Sequence, residues 1–199
     1  MQDDALDNQI SFLVEADKLK SVLRRNYTIH ADRKENSAEH SWHAALFAMV
    51  LAELSNEPVD IARVVKMLVV HDIVEVDAGD TFIYDDIGRE TQLAREAEAA
   101  ERIFGLLPSD QATAFRDLWR EFESAVSPEA KFAKAIDRFA GFIHNYETGG
   151  RGWTENGILP GRVLEVNEYV KDGSVALWEK IRSLVELAVA KGFFTNETM

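Results

Sequence analysis

An all-α fold is predicted for this chain, a single-domain bundle of about seven or eight helices spanning residues 1–199, and three observations predict it. Apolar residues recur at intervals of three and four along most of the sequence, the spacing of one helix face. All four prolines, at 58, 108, 128 and 160, fall where a helical pattern starts or stops. No segment alternates apolar and polar residues as a half-buried strand does, and no repeat, low-complexity tract or linker divides the chain.

Taken in order, Ile10, Leu13, Val14 and Leu19 predict a first helix over 8–23, and the polar stretch 26–36 reads as a loop. Ser37 is placed to cap a second helix running to about Ser55, closed by Asn56 and Pro58. Asp60 caps a third, IARVVKMLVVHDIVEV, which stops before Ala78 and Gly79. Residues 80–88 have no helical period and read as a loop over its end. Helices follow over 89–104, 110–123 and 128–146, the last with Ser127 and Pro128 as cap and first turn. GGRGW at 149–153 reads as a turn, because neither a preceding strand nor a Walker lysine accompanies it. Two last helices, about 159–171 and 173–190, pack on a core of residues 10–147. Trp42, Phe47 and Met49 are expected in that core.

Composition narrows the function. A net charge of −13 works against nucleic acid polymers, whose binding depends on neutralising phosphates with Lys and Arg. A small phosphate ester is still compatible, provided a cation supplies positive charge locally. No apolar run approaches the ~20 residues of a membrane span. The N-terminal MQDDALDNQI is acidic where a secretory signal would be basic and then apolar. The absence of cysteine removes disulfides, thiolate metal sites and a thiol nucleophile. A cytoplasmic protein with no membrane partner is the expectation.

The stretch VVKMLVVHDIVEVDAGD, 64–80, carries the chemistry. His71 and Asp72 end an apolar run, Glu75 follows one helical turn later on the face of His71, and Asp80 lies just past a glycine. Buried imidazoles and carboxylates are costly unless paired or bound to a cation, so this is read as half of a metal site. His40 and Asp137, on two other predicted helices, are candidates for the other half. Spacing alone does not require that convergence.

The order His40, His71-Asp72, Asp137 resembles the pattern of HD-domain metal-dependent phosphohydrolases. AEHSW (38–42), HDIVE (71–75), GDTF (79–82) and AIDRF (135–139) resemble in particular the branch containing 5'-deoxynucleotidases. The resemblance implies His40, His71, Asp72 and Asp137 as metal ligands, and Glu75 and Asp80 as the groups that handle protons of the attacking water and the leaving oxygen. It implies an arginine about fifteen residues before the first ligand as the phosphate contact. That is Arg25, followed by Asn26 where the family pattern has tryptophan, and Arg24 remains an alternative. Relatives with two metals add histidines between the HD pair and the last aspartate. None occurs here from 73 to 143, so one divalent ion is expected, whether Mn, Co, Fe, Ni, Zn or Mg.

The implied activity is hydrolysis of (deoxy)nucleoside 5'-monophosphates, in a homodimer. The alternatives are an HD enzyme acting on a nucleoside triphosphate or alarmone, and a non-catalytic HD sensor. His144, two turns beyond Asp137 on the same face and ~10 Å away, is too far to share the ion but in reach of substrate. His43 sits beside His40 as a support for the ligands or as a structural neighbour of Trp42. Glu39 either orients an imidazole or pairs with Arg33.

Overall fold

The computed structural model describes residues 2–194, and the all-α expectation holds: helices carry the chain, with one two-stranded sheet among the described residues. Helix α1 (Gln2–Ala16) ends earlier than its apolar spacing suggests. A 3-10 turn, Asp17–Ser21, takes over and buries Leu19. Strand β1 (Leu23–Tyr27) then pairs antiparallel with β2 (Lys34–Asn36), which corrects the loop expected over 26–36. Both strands are short and polar, so no apolar alternation announced them. The alternation is in burial: Arg24 turns inward and Arg25 outward, while Glu35 on β2 is fully buried.

Helix α2 (Ser37–Val50) is capped by Asn36 and not by Ser37. Asn36 Oδ1 accepts from the Glu39 amide at 2.9 Å and Glu39 Oε2 accepts from the Asn36 amide at 3.3 Å, a reciprocal box that satisfies two otherwise unpaired donors. This cap fixes the first turn, which carries His40. Helix α3 (Ile61–Val70) starts where expected, with Asp60 Oδ1 accepting from the Ala62 amide at 2.9 Å. It tightens into a 3-10 turn, His71–Val74, and resumes as the single turn α4 (Glu75–Ala78). Gly79 ends it at φ +73, a conformation that costs glycine nothing and that aims the next residue, Asp80, back toward the helix end.

The remainder is α5 (Asp86–Phe104), α6 (Ser109–Ser124), α7 (Pro128–Glu147), α8 (Arg151–Glu155), α9 (Pro160–Asn167), α10 (Val170–Gly173) and α11 (Val175–Ala190). More pieces appear than the seven or eight predicted, because the third helix and the one over 159–171 each break. GGRGW, expected as a turn, opens the short α8.

Two apolar clusters hold these elements. Ala44, Ala48, Met67, Leu68, Phe132, Ile136 and Ile181 belong to one, joining α2, α3, α7 and α11. Phe12, Val74, Ile103, Phe104 and Trp119 belong to the other, joining α1, α5 and α6. Each large side chain buried there contributes about 1.5–3 kcal/mol. Alanines at 130, 133, 135 and 140 let neighbours approach α7 closely. A Cβ on Gly173 would lie 2.8 Å from that of Ala135, so α10 has no room for one.

Val64, Met67 and Leu68 point into the first cluster, and Val70, Ile73 and Val74 into the second. His71 and Asp72 therefore fall on the seam between the two cores. Trp42 and Met49, expected in the core, are 66% and 62% exposed, while Phe47 packs against it. No helix of the described residues is long and apolar enough to cross a membrane.

Candidate metal centre

His40 from α2, His71 and Asp72 from the end of α3, and Asp137 from α7 meet at this seam. His40 Nε2 lies 2.6 Å and His71 Nε2 3.7 Å from Asp137 Oδ1, and His71 Nε2 is also 2.9 Å from Asp72 Oδ1. Ligating atoms of His40, His71 and Asp137 all lie within 4.8 Å of one another. His71 donates through Nδ1 to the Leu68 carbonyl at 2.9 Å, which leaves Nε2 as the nitrogen that faces the carboxylates. That Nε2 is buried and makes no hydrogen bond, despite the nearby carboxylates. An orphaned imidazole nitrogen facing two carboxylate oxygens and a second imidazole is a donor set that fits a divalent cation of mixed N and O preference.

Glu75 and Asp80 flank the cluster. The Ser37 hydroxyl donates to Glu75 Oε2 at 2.6 Å, deep in the protein. Arg95 clamps the loop bearing Asp80 by donating to the Ala78 carbonyl, to Thr81 Oγ1 at 2.9 Å and to the Gly88 carbonyl at 3.3 Å. Arg24, and not Arg25, enters the cluster: Nη1 is 3.3 Å from Asp72 Oδ2, 3.4 Å from Asp80 Oδ1 and 4.0 Å from Glu75 Oε1. Arg25 is exposed at the rim, its guanidinium 6.0 Å from the Phe82 ring. The centre opens into a cavity of about 770 Å³.

A family model described as HD domain matches residues 16–178. The chain belongs to the HD domain family. Human 5'-deoxynucleotidase HDDC2 is 34% identical over 65% of this chain and 62% of its own, so the chain spans about three fifths of that relative. The Schizosaccharomyces pombe 5'-deoxynucleotidase hdd1 is 31% identical over 69% of this chain and 71% of its own. A solved structure described as a predicted metal-dependent phosphohydrolase, from Magnetospirillum magnetotacticum MS-1, superposes with a TM-score of 0.92. It is 44% identical and covers 98% of both chains.

His144 differs from what sequence spacing suggested for this HD domain, and Glu39 takes one of its two expected roles. His144 is buried outside the cavity lining, with Nε2 3.0 Å from His43 Nδ1 and Nδ1 3.4 Å from Glu35 Oε1. It faces a second acidic group and not the space where substrate would lie. Glu39 is taken up by Arg33, whose guanidinium donates to both its oxygens at 2.6 and 2.8 Å. The carboxylate beside His40 is Glu35 instead, 3.5 Å from Nδ1. Glu35 was missed because its segment read as a loop: KEN is polar throughout, and only the pairing of β2 with β1 turns its middle residue inward.

Electrostatics describe a centre short of positive charge. Burial opposes ionisation of Asp137, yet His40 and His71 hold it well below the usual carboxylate range; burial likewise opposes ionisation of Asp72, and the His71 charge outweighs it and lowers that carboxyl. Burial and the Arg24 charge oppose a proton on His40, but Asp137 and Glu35 outweigh them and raise it to about 9. Burial, then the charge of Asp72, push Glu75 up to about 8. Burial also raises Asp80 against the pull of Arg24.

His40 and Glu75 therefore hold protons more tightly in the fold than in the unfolded chain, where their values are 6.5 and 4.5. The stability they contribute is full below those unfolded values and is lost as pH rises toward about 9 and about 8. The melting temperature of metal-free protein is expected to fall between pH 6.5 and 9, and a saturating divalent ion, which takes the place of the protons, to flatten that fall. Thermal melts with chelator and with metal check this; a flat metal-free profile contradicts it.

Proposed function

We propose that this protein is a metal-dependent 5'-nucleotidase, converting (deoxy)nucleoside 5'-monophosphates to nucleoside and phosphate, with His40, His71, Asp72 and Asp137 as the ligands of one divalent ion. The observation that carries the reading is the buried, unpaired Nε2 of His71, facing Asp72 and Asp137 beside two further carboxylates at the floor of an open cavity. A dianionic phosphate does not enter a site with Asp72, Glu75, Asp80 and Asp137 around one Arg24 unless a cation neutralises part of that charge. A divalent ion held by His40, His71, Asp72 and Asp137 would supply Lewis-acid charge for a phosphoryl oxygen and lower the pKa of water toward neutral pH.

The chain's own groups supply the rest. Arg24, fixed by Asp72 and Asp80, offers its planar fork to the equatorial phosphoryl oxygens, the role expected of Arg25. As water attacks phosphorus and the bond to the 5'-oxygen breaks with its electron pair, two protons must move. Glu75 and Asp80 divide them, one accepting from the water and the other donating to the departing oxygen. Ser37 holds Glu75 in place for that transfer. Phe82, Tyr84 and Phe142 give the cavity an aromatic wall for a nucleobase, and its volume suits a ligand of that size. The names of the human and fission yeast relatives support the monophosphate reading. We place the enzyme in the cytoplasm as a homodimer, for which exposed Leu6, Ile10, Leu13 and Val14 on α1 offer an apolar face.

Phosphate release from each nucleoside and deoxynucleoside 5'-monophosphate, across Mn, Co, Fe, Ni, Zn and Mg, tests the reading. Metal-dependent release from at least one is expected. No release from any of them with any ion contradicts it.

A further inference from the structure

We infer that Arg138 is a second phosphate-binding residue of this centre, the one whose positive charge is not already compensated by neighbouring carboxylates. The inference rests on the reading of the cavity as a phosphate-ester site. Arg24, the cation beside the metal position, is shared among four acids. Its guanidinium nitrogens lie 3.3 Å from Asp72, 3.4 Å from Asp80, 3.8 Å from Glu35 and 4.0 Å from Glu75. Its charge is therefore largely matched before a substrate arrives. A phosphate monoester enters as a dianion, and its oxygens need donors that no carboxylate holds.

Arg138 follows the proposed ligand Asp137 on α7, and both line the cavity. Its Nε donates to the Tyr169 hydroxyl at 2.9 Å, and its guanidinium lies 5.9 Å from the centre of that ring. Among the described residues the side chain makes no other hydrogen bond and no ion pair. The Nη hydrogens, which form the planar fork, thus have no protein acceptor. They are not sealed in the interior either, because no Arg138 atom is among the buried polar atoms left without a partner. An arginine anchored through Nε, with its fork free and open to a cavity, is arranged to take paired oxygens. The Arg138 charge also reaches Asp137, Asp80 and Tyr84. Its head is within range of both the metal position and the aromatic wall.

The other cations that line the cavity do not fit this role. Lys134 is paired with Glu123 at 3.2 Å and Arg120 with Glu101 at 3.0 Å. Arg25 and Arg89 are exposed. Lys131 forms no ion pair among the described residues, but it precedes Asp137 by ~9 Å along α7. It serves as a control for charge without contact.

The test uses the full chain loaded with zinc and reads binding of inorganic phosphate and of deoxyadenosine by titration calorimetry. Arg138→Gln is expected to weaken phosphate binding roughly 10- to 100-fold, the usual cost of losing hydrogen bonds to a charged group, and to leave deoxyadenosine binding unchanged. Arg138→Lys, which keeps the charge without the fork, is expected to recover part of that loss. Lys131→Gln is expected to change phosphate affinity by no more than about 3-fold, the scale of a screened charge. Zinc content is expected to stay the same in all three variants. In the unaltered chain, the Nη proton resonances of Arg138 are expected to shift on adding phosphate and not on adding chloride.

Unchanged phosphate affinity in Arg138→Gln overturns the inference, and so does an equal loss in Lys131→Gln. Loss of deoxyadenosine binding with phosphate binding kept would make Arg138 a nucleobase contact and overturns it too. Loss of both, with a lower melting temperature, would mark a structural tie to Tyr169 and overturns it as well. Arg138 resonances that ignore phosphate do the same without any variant. If the unaltered zinc-loaded chain binds no phosphate, the phosphate-site reading fails and takes the inference with it. If phosphate binds through Arg138 but no nucleotide is hydrolysed, only the proposed function fails.

Discussion

Replacing His71 with alanine is expected to lower metal content to background and kcat/KM by on the order of 10³-fold or more, about 4 kcal/mol of transition-state stabilisation. The size follows from its place. His71 is held from behind by the Leu68 carbonyl and presents its other nitrogen to both Asp72 and Asp137. Without it, two carboxylates face each other across the seam with one imidazole fewer between them, and the remaining donors no longer enclose an ion. The polar group is lost at the edge of two apolar clusters and not from the middle of either, so the helical circular dichroism spectrum is expected to persist. Elemental analysis of the purified variant beside steady-state kinetics checks the result. Full metal content with full activity would remove His71 from the centre.

Glu75→Gln is expected to do the opposite to the metal and the same to the rate. The amide oxygen still accepts from Ser37, and none of the four proposed ligands is touched, so metal content stays at the level of the unaltered chain. The side chain can no longer gain or release a proton, and loss of a positioned acid or base lowers kcat by roughly 10²- to 10⁴-fold. KM is expected to change little, because Arg24 and the cavity walls remain. Metal-replete protein with near-normal kcat would show that Asp80 alone manages both transfers. The contrast between the two variants separates holding the ion from using it.

Much of this was legible in the sequence, for identifiable reasons. Helical periodicity marked α3 and α7 because each buries a wide apolar face, and Asp60, Ser127 and Pro128 marked their starts. The four residues that meet at the seam are legible because their order along the chain, with Glu75 and the Gly79-Asp80 pair after the HD dipeptide, is itself a pattern; the dipeptide alone carries little. The segment between Leu23 and Asn36 was not legible. Its strands pair through main-chain hydrogen bonds and carry charged side chains on both faces, so neither periodicity nor propensity exposes them. Misreading that hairpin hid two things at once: that Arg24 and not Arg25 points inward, and that Glu35 lies against His40. His144 was placed on the correct face of α7, but spacing along one helix cannot tell that a carboxylate from another element already occupies that space.

The central claim is that one divalent ion sits among His40, His71, Asp72 and Asp137. Crystals grown with manganese, measured above and below its absorption edge, test it most directly. A single anomalous peak about 2 Å from His40 Nε2, His71 Nε2 and a carboxylate oxygen each of Asp72 and Asp137 is the predicted result. A peak outside this cluster with none inside it would contradict the account.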